Sequence, residues 1–442
     1  MLRKTFAIAL ILFLPLAAPA QKRPLSLEEA ISAGLEASPG LHASRMKVES
    51  MAAKTREIAA GRLPSLKLGG GYTRLSEVPP FEVTLPISPN PIVVSQSYFN
   101  NFNLRLGVQQ PLFTGFRLQS GQESSRMLER SAGLDLEKDR AEFIFAVKSA
   151  YWGLARAREF EKVIDETIGQ VAEHLKDVRA FFDQGLLTKN EVLRTELELS
   201  NAELMRIDAR NAAEIALTTL DSLIGLPLDT DVDLTTSAES RAARPPAGEG
   251  AEGGDPVETA LANRPELKSA EFRIKASELG VKTAQAGFYP QVFLSGNYYY
   301  LRPNPRFMPA LDKFKGTWDV GISVSFDIWN WGQTKSQAEQ AKAQLAQARD
   351  AHKLLEEQAV LEIAQSRLSL ARAGDKVRVA AQAVAQAEEN LRVTRERFKQ
   401  GVALNADVLD ADVALLRARL NRTQAAIDLV LAQARLEKAL GR

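Results

Sequence analysis

Two periods of hydrophobicity alternate along this chain. No proline occurs between Pro111 and Pro227 or from Ala310 onward. Both stretches are rich in Ala, Leu, Glu, Gln, Arg and Lys, the strong helix formers, with small and apolar residues three and four apart, as at Ala341, Leu345, Ala348 and His352. That spacing predicts long helices packed in the manner of coiled coils. Elsewhere the period drops to two. Leu66, Leu68, Gly70 and Tyr72 alternate with polar positions, as do Phe102, Leu104, Leu106 and Val108. The same holds for Val292, Leu294, Gly296 and Tyr298, and for Trp318, Val320, Ile322, Val324 and Phe326. Four strands of about ten residues, apolar on one face and polar on the other, match the length and dyad repeat of an outer-membrane β-barrel.

The pattern occurs twice. Pro39, Gly61, Pro64, Tyr72 and Leu75 recur as Pro265, Gly287, Pro290, Tyr298 and Leu301, each 226 positions later. Phe182, Gly185, Val192, Leu193 and Gly225 recur as Phe398, Gly401, Val408, Leu409 and Gly441, each 216 positions later. Glycines and prolines held at a fixed offset indicate one supersecondary unit used in tandem. The boundaries read as residues 21–225 for the first repeat and 255–442 for the second, with a polar linker at 226–254 expected to be irregular. Each repeat should carry helices of about 36 residues (Ser26 to Gly61 in the first), about 70 (Phe113 to Phe182) and about 37 (Thr188 to Ile224). The longest would extend for roughly 105 Å, and the two shorter ones laid end to end would match it, giving a rod.

The aromatic residues Tyr72, Phe102, Tyr298, Tyr299, Tyr300 and Trp318 gather near the strand ends that face long, proline-rich loops (Ser76 to Asn100 and Arg302 to Gly316), as an interfacial girdle does. Four strands cannot close a barrel, and an open edge is not tolerated in lipid. Two copies would give a barrel filled by its own side chains, whereas three give twelve strands and a lumen. The expected fold is therefore a mixed α and β membrane protein: a trimeric twelve-stranded barrel continued by a long helical coiled-coil tunnel.

Residues 1–20 carry Arg3 and Lys4, an apolar stretch from Phe6 to Leu16 and the small-residue site Ala18-Pro19-Ala20, the pattern of a signal peptide. No later run is apolar enough for a membrane helix. The chain holds no Cys, so no disulfide framework exists, and its formal net charge of +1 does not favour nucleic acid. His42, His174 and His352 lack metal-ligand spacing. Neither a phosphate loop nor a Ser-His-Asp constellation is present. The reading is accordingly a non-enzyme without cofactors. A periplasmic coiled-coil adaptor that forms no pore is the alternative, and four amphipathic strands count against it.

Further residues carry a family resemblance over essentially the whole mature chain. The strand-to-helix segments Pro111-Leu112-Phe113-Thr114-Gly115 and Asp327-Ile328-Trp329-Asn330-Trp331-Gly332 are similar to the PLFDGG segment of the TolC family of outer-membrane factors. The run Asn405-Ala406-Asp407-Val408-Leu409-Asp410-Ala411 resembles that family's VDVLDA at the periplasmic mouth. The resemblance implies a homotrimer in the outer-membrane lipid, with its tunnel extending into the periplasm. It implies passive export (efflux or type I secretion) of substrates handed over by an inner-membrane transporter through a periplasmic adaptor. By motif, Asp407 and Asp410 would face the constriction, with Glu191 at the Asp407 position of the first repeat and Phe398 as the aromatic gate residue. Gly185, Leu186, Gly401 and Val402 would form the adaptor-contacting tips. Phe398 has no hydroxyl and Ala403 stands where some members have Arg, so the resemblance does not extend to the family's polar gate links at these two positions. Thr188 with Glu191 also matches a capping box, and Asn405 with Asp407 a helix start.

Overall fold

The computed structural model describes residues 23–83, 86–87, 90–228, 230–242 and 256–441. The expected signal peptide, residues 229 and 243–254 of the linker and residue 255 lie outside them. In chain order the elements are β1 (Arg23–Leu25), α1 (Leu27–Ala37), α2 (Pro39–Ala60), β2 (Ser65–Arg74), β3 (Phe81–Val83), β4 (Ile92–Ser95), β5 (Asn100–Phe113), α3 (Arg117–Asp183), α4 (Lys189–Ile224), β6 (Val232–Leu234), α5 (Ala238–Ala242), α6 (Pro256–Asn263), α7 (Pro265–Gln285), β7 (Gln291–Arg302), β8 (Lys315–Ser325), α8 (Gln333–Lys399) and α9 (Asn405–Ala439). Two compact units result, one from residues up to His42, Asp139–Arg264 and Ala359 onward, the other from Ala43–Lys138 and Pro265–Gln358.

The second unit contains the four-stranded sheet, in the order β2-β5-β7-β8 and antiparallel throughout. The register joins the alternating residues of all four strands into two continuous faces. Leu68, Leu106, Tyr298 and Trp318 lie in one row, and Leu66, Val108, Gly296 and Val320 in the next. These apolar side chains are largely exposed, Trp318 by 69% and Val320 by 67%. A one-residue slip would send the whole row to the opposite face. Pro111 sits at a bulge in β5, where the register shifts before Phe113 pairs with Val292. A residue without an N–H is tolerated there. The first hairpin loop also contains the short pair β3–β4.

The first unit is mainly helical. Its core joins Leu25, Leu27, Val147, Tyr151, Trp152, Leu220, Ile224, Val232, Ile427 and Val430. Tyr151 donates its hydroxyl to the Leu25 carbonyl at 3.1 Å and accepts from the Thr236 N–H at 3.1 Å. Gly225 ends α4 with φ of 75°, and a Cβ there would lie 2.4 Å from the Cβ of Ala37. Both the backbone angle and the close approach require glycine.

Three expectations change. The first helix is broken at Ser38, which is extended (φ −67°, ψ 115°) because it precedes Pro39; Pro39 then begins α2, where its missing N–H costs nothing. The long helix begins at Arg117, not Phe113, because β5 runs on through Phe113 and the chain then turns at Gly115 (φ 62°) and Phe116 (φ 67°). The linker is not wholly irregular either, since β6 within it pairs in parallel with β1.

Candidate functional site

The expected tip residues occupy the α3–α4 and α8–α9 turns of the helical unit. Both turns close alike. Gly185 and Gly401 each have φ of 74°. The Leu186 N–H donates to Phe181 O at 2.9 Å, and the Val402 N–H to Arg397 O at 2.8 Å, the six-to-one bond of a Schellman end. A Cβ on either glycine would meet nothing within 4 Å, so backbone angle alone selects glycine. Gly185, Leu186, Gly401 and Val402 are all exposed.

Past the second turn, the Leu404 N–H donates to the Asp407 carboxylate at 2.9 Å, so Asp407 caps the start of α9 from its third position. Asp407 and Asp410 are both exposed, one turn apart on α9. Phe398 is placed differently. Only 4% exposed, it packs with Val178, Leu391, Val408, Ala411 and Leu415, and its ring centroid lies 5.0 Å from that of His174 and 5.5 Å from that of Phe181. Within this chain its ring fills the core behind the turn.

Glu191 does not complete the expected capping box, because Thr188 makes no side-chain cap bond. Its carboxylate instead accepts from Asn405 Nδ2 at 3.0 Å. Asn405 is buried and ties three helices together. Its Nδ2 also meets Thr195 Oγ1 at 3.0 Å, and its Oδ1 lies 2.7 Å from His174 Nε2. With the amide donating toward α4, Oδ1 accepts and the His174 proton sits on Nε2. Burial, above all, pushes the His174 pKa below its ordinary value, against the raising effect of the Asn405 bond. Sequence reading treats His174 as isolated because its partner is 231 positions away.

A second polar pair joins α8 to α9. Arg395 Nη2 of α8 donates to Asp412 Oδ1 of α9 at 2.9 Å, with the Asp412 side chain 1% exposed. Burial pushes the Asp412 carboxyl up to about 6, against the lowering effect of Arg395. Neither residue was singled out from sequence. Their 17-residue separation across a helix turn, among Leu391, Val408 and Leu415, is the signal that marks them. Among the described residues, no group of His, Cys, Asp and Glu could hold a metal ion, and no helix is long and apolar enough to cross a membrane.

Comparisons with known proteins bear on the family and the fold. The family model described as outer membrane efflux protein matches residues 30–226 and 257–442. The chain is 25% identical over 342 residues to the outer membrane efflux protein BepC of Brucella suis, covering 76% of this chain and 72% of that protein. To the alkaline protease secretion protein AprF of Pseudomonas aeruginosa it is 27% identical over 339 residues, covering 75% and 64%. Solved structures share the fold. The Vibrio cholerae outer membrane protein VceC superimposes with a TM-score of 0.78 at 20% identity, covering 94% of this chain and 96% of that one. CusC does so with 0.80 at 18% identity, covering 97% and 95%. The matches span both halves of the sequence, and the chain belongs to the outer membrane efflux protein family, transport channels of the outer membrane.

Proposed function

We propose that three copies of this chain close a twelve-stranded barrel through which substrates leave passively. An inner-membrane transporter would supply them through a periplasmic adaptor, in efflux or type I secretion. The observation that carries this reading is the sheet. Its outer apolar face is exposed, and its edge strands β2 and β8 are unpaired along 10 and 11 residues. Such edges must find partners in lipid. β2 and β8 run in opposite directions, so β8 of one copy meets β2 of the next antiparallel and the meander continues around a closed ring.

Exposed apolar stripes on the helices support the same assembly. Leu354, Leu361 and Leu368 lie at heptad spacing on α8, and Leu193, Leu197, Leu204, Ile207 and Ile215 line α4. A seam of this kind is the surface a neighbouring helix packs against. Elements of matching length, 67 residues in both α3 and α8 and 36 and 35 in α4 and α9, fit a tandem repeat. Beyond the apolar rows, Trp329 and Trp331 are 75% and 89% exposed at the strand-to-helix junction, opposite the aromatic cluster at the loop end. Two aromatic belts flanking an aliphatic band suit a bilayer.

In this assembly, Asp407 and Asp410 form two acidic rings at the periplasmic entrance, with Glu191 at the Asp407 position of the first repeat, and the Gly185 and Gly401 turns meet the adaptor. Planar-bilayer recording tests the reading. The purified protein should give discrete, cation-selective conductance blocked by multivalent cations, and Asp407→Ala with Asp410→Ala should weaken both properties. Homogeneous, folded protein that never conducts would sink it.

A further inference from the structure

The polar face of the sheet has an uneven charge. Its charged residues are Lys67, Arg105, Lys315 and Asp319, three cations against one carboxylate. They fall within three neighbouring rungs. Lys67, Gly107, Asn297 and Asp319 share one, Arg105 lies on the next, and Lys315 on the third, with rungs of the same face about 7 Å apart.

The single carboxylate is already occupied. Asp319 accepts from Asn297 Nδ2 at 2.8 Å and stands 3.7 Å from Arg306 Nη2, a cation contributed by the hairpin loop. Arg105 is held by a neutral group. Its Nε and Nη2 donate to Asn297 Oδ1 at 3.0 and 2.7 Å, and its guanidinium lies 5.5 Å from the centre of the Tyr299 ring. Gly107 leaves room for this contact, since a Cβ there would come within 3.0 Å of Asn297 Oδ1. Arg105 is therefore fixed in place without being neutralised, and Lys67 has no ion-pair partner among the described residues.

We propose that this face makes the barrel an anion-favouring filter, with Lys67 and Arg105 setting its sign. The proposal rests on the reading that the polar face lines the lumen. Three-fold repetition would then place rings of fixed positive charge where solute leaves. Rings of like charge select against ions of their own sign, and low-dielectric walls focus the field. Anionic solutes would pass this section most readily, in contrast to the acidic entrance.

The absence of cysteine gives a direct test. Single thiols are introduced as Ser295→Cys on the polar face and Val320→Cys on the apolar face of the liposome-reconstituted protein. Each is reacted with an anionic (ethylsulfonate) and a cationic (ethyltrimethylammonium) methanethiosulfonate. The filter predicts an anionic-to-cationic rate ratio at Ser295→Cys at least about threefold above that of a free thiol, as a local potential of about half a kT gives for probes that differ by two charges. The ratio should fall toward the free-thiol value with Lys67→Gln and Arg105→Gln, invert with Lys67→Glu combined with Arg105→Glu, and shrink in high salt. A free-thiol ratio, or one unmoved by these exposed-residue variants, would overturn the filter while leaving the lumen intact. An unreactive Ser295→Cys with a reactive Val320→Cys would overturn the lumen reading itself.

Discussion

The two helix turns share a backbone and differ in what stands behind it. Phe182 and Phe398 occupy the same position in each, three residues before a glycine with φ of 74°. Phe182 is 39% exposed, whereas Phe398 is 4% exposed. Glu191 and Asp407 are likewise 216 positions apart, yet Glu191 binds Asn405 across the turns while Asp407 caps its own helix. A repeated sequence thus preserves the chain path, because glycine at a positive φ and a helix stop are local requirements. It leaves the side-chain surroundings free to diverge, because those depend on residues far away in sequence.

The largest expected effect comes from truncating the two phenylalanines. Phe398→Ala should cost about 3–5 kcal/mol, the range for emptying a buried aromatic site. Phe182→Ala should stay within about 1 kcal/mol, as for a largely exposed side chain. Thermal or denaturant unfolding of both variants checks this, and equal losses would erase the distinction between the turns.

Next is the Arg395–Asp412 pair. Arg395→Met leaves a buried carboxylate without its cation, a loss of about 3 kcal/mol or more near neutral pH. The pH dependence has a definite sign. Asp412 is raised from 3.8 to about 6, so the folded state holds its proton more tightly than the unfolded chain. Its contribution to stability is full below the unfolded value and is lost as pH rises through about 6. His174, lowered from 6.5, works in the opposite direction, losing stability as pH falls below that value. Asp412→Asn removes only the first of these. Its stability relative to the unmodified protein should therefore be highest above about 6 and decline as the pH falls through that region. Melting curves across this range measure it; a constant difference would mean that Asp412 does not titrate there.

The smallest effects separate the glycines. Gly185→Ala and Gly401→Ala should each cost about 1 kcal/mol, since each forces a Cβ into the left-handed region without a clash. Gly225→Ala adds the contact with Ala37 and should cost clearly more. Stability of the three variants tests whether the angle alone explains the two turns.

What was legible in the sequence follows the same division. Period-two alternation places Leu68, Leu106, Tyr298 and Trp318 on one face because one apolar face and one polar face leave no other register. The turn glycines were legible from their spacing. The break at Ser38 was carried by Pro39 but overridden by the length of the helical pattern. Invisible were contacts that join distant positions: β1 with β6, and His174 with Asn405. The Asp407 cap was legible as a helix start, whereas the partner of Glu191 was not, because nothing near Thr188 announces Asn405.

Native mass measurement of the detergent-solubilised protein tests the central claim most directly. The proposed channel requires three chains in every complex, with β8 of each closing on β2 of the next, and one dominant species of three chains is the expected result. A folded, detergent-bound monomer that inserts into lipid alone would contradict it, since the described sheet has two open edges that lipid cannot satisfy.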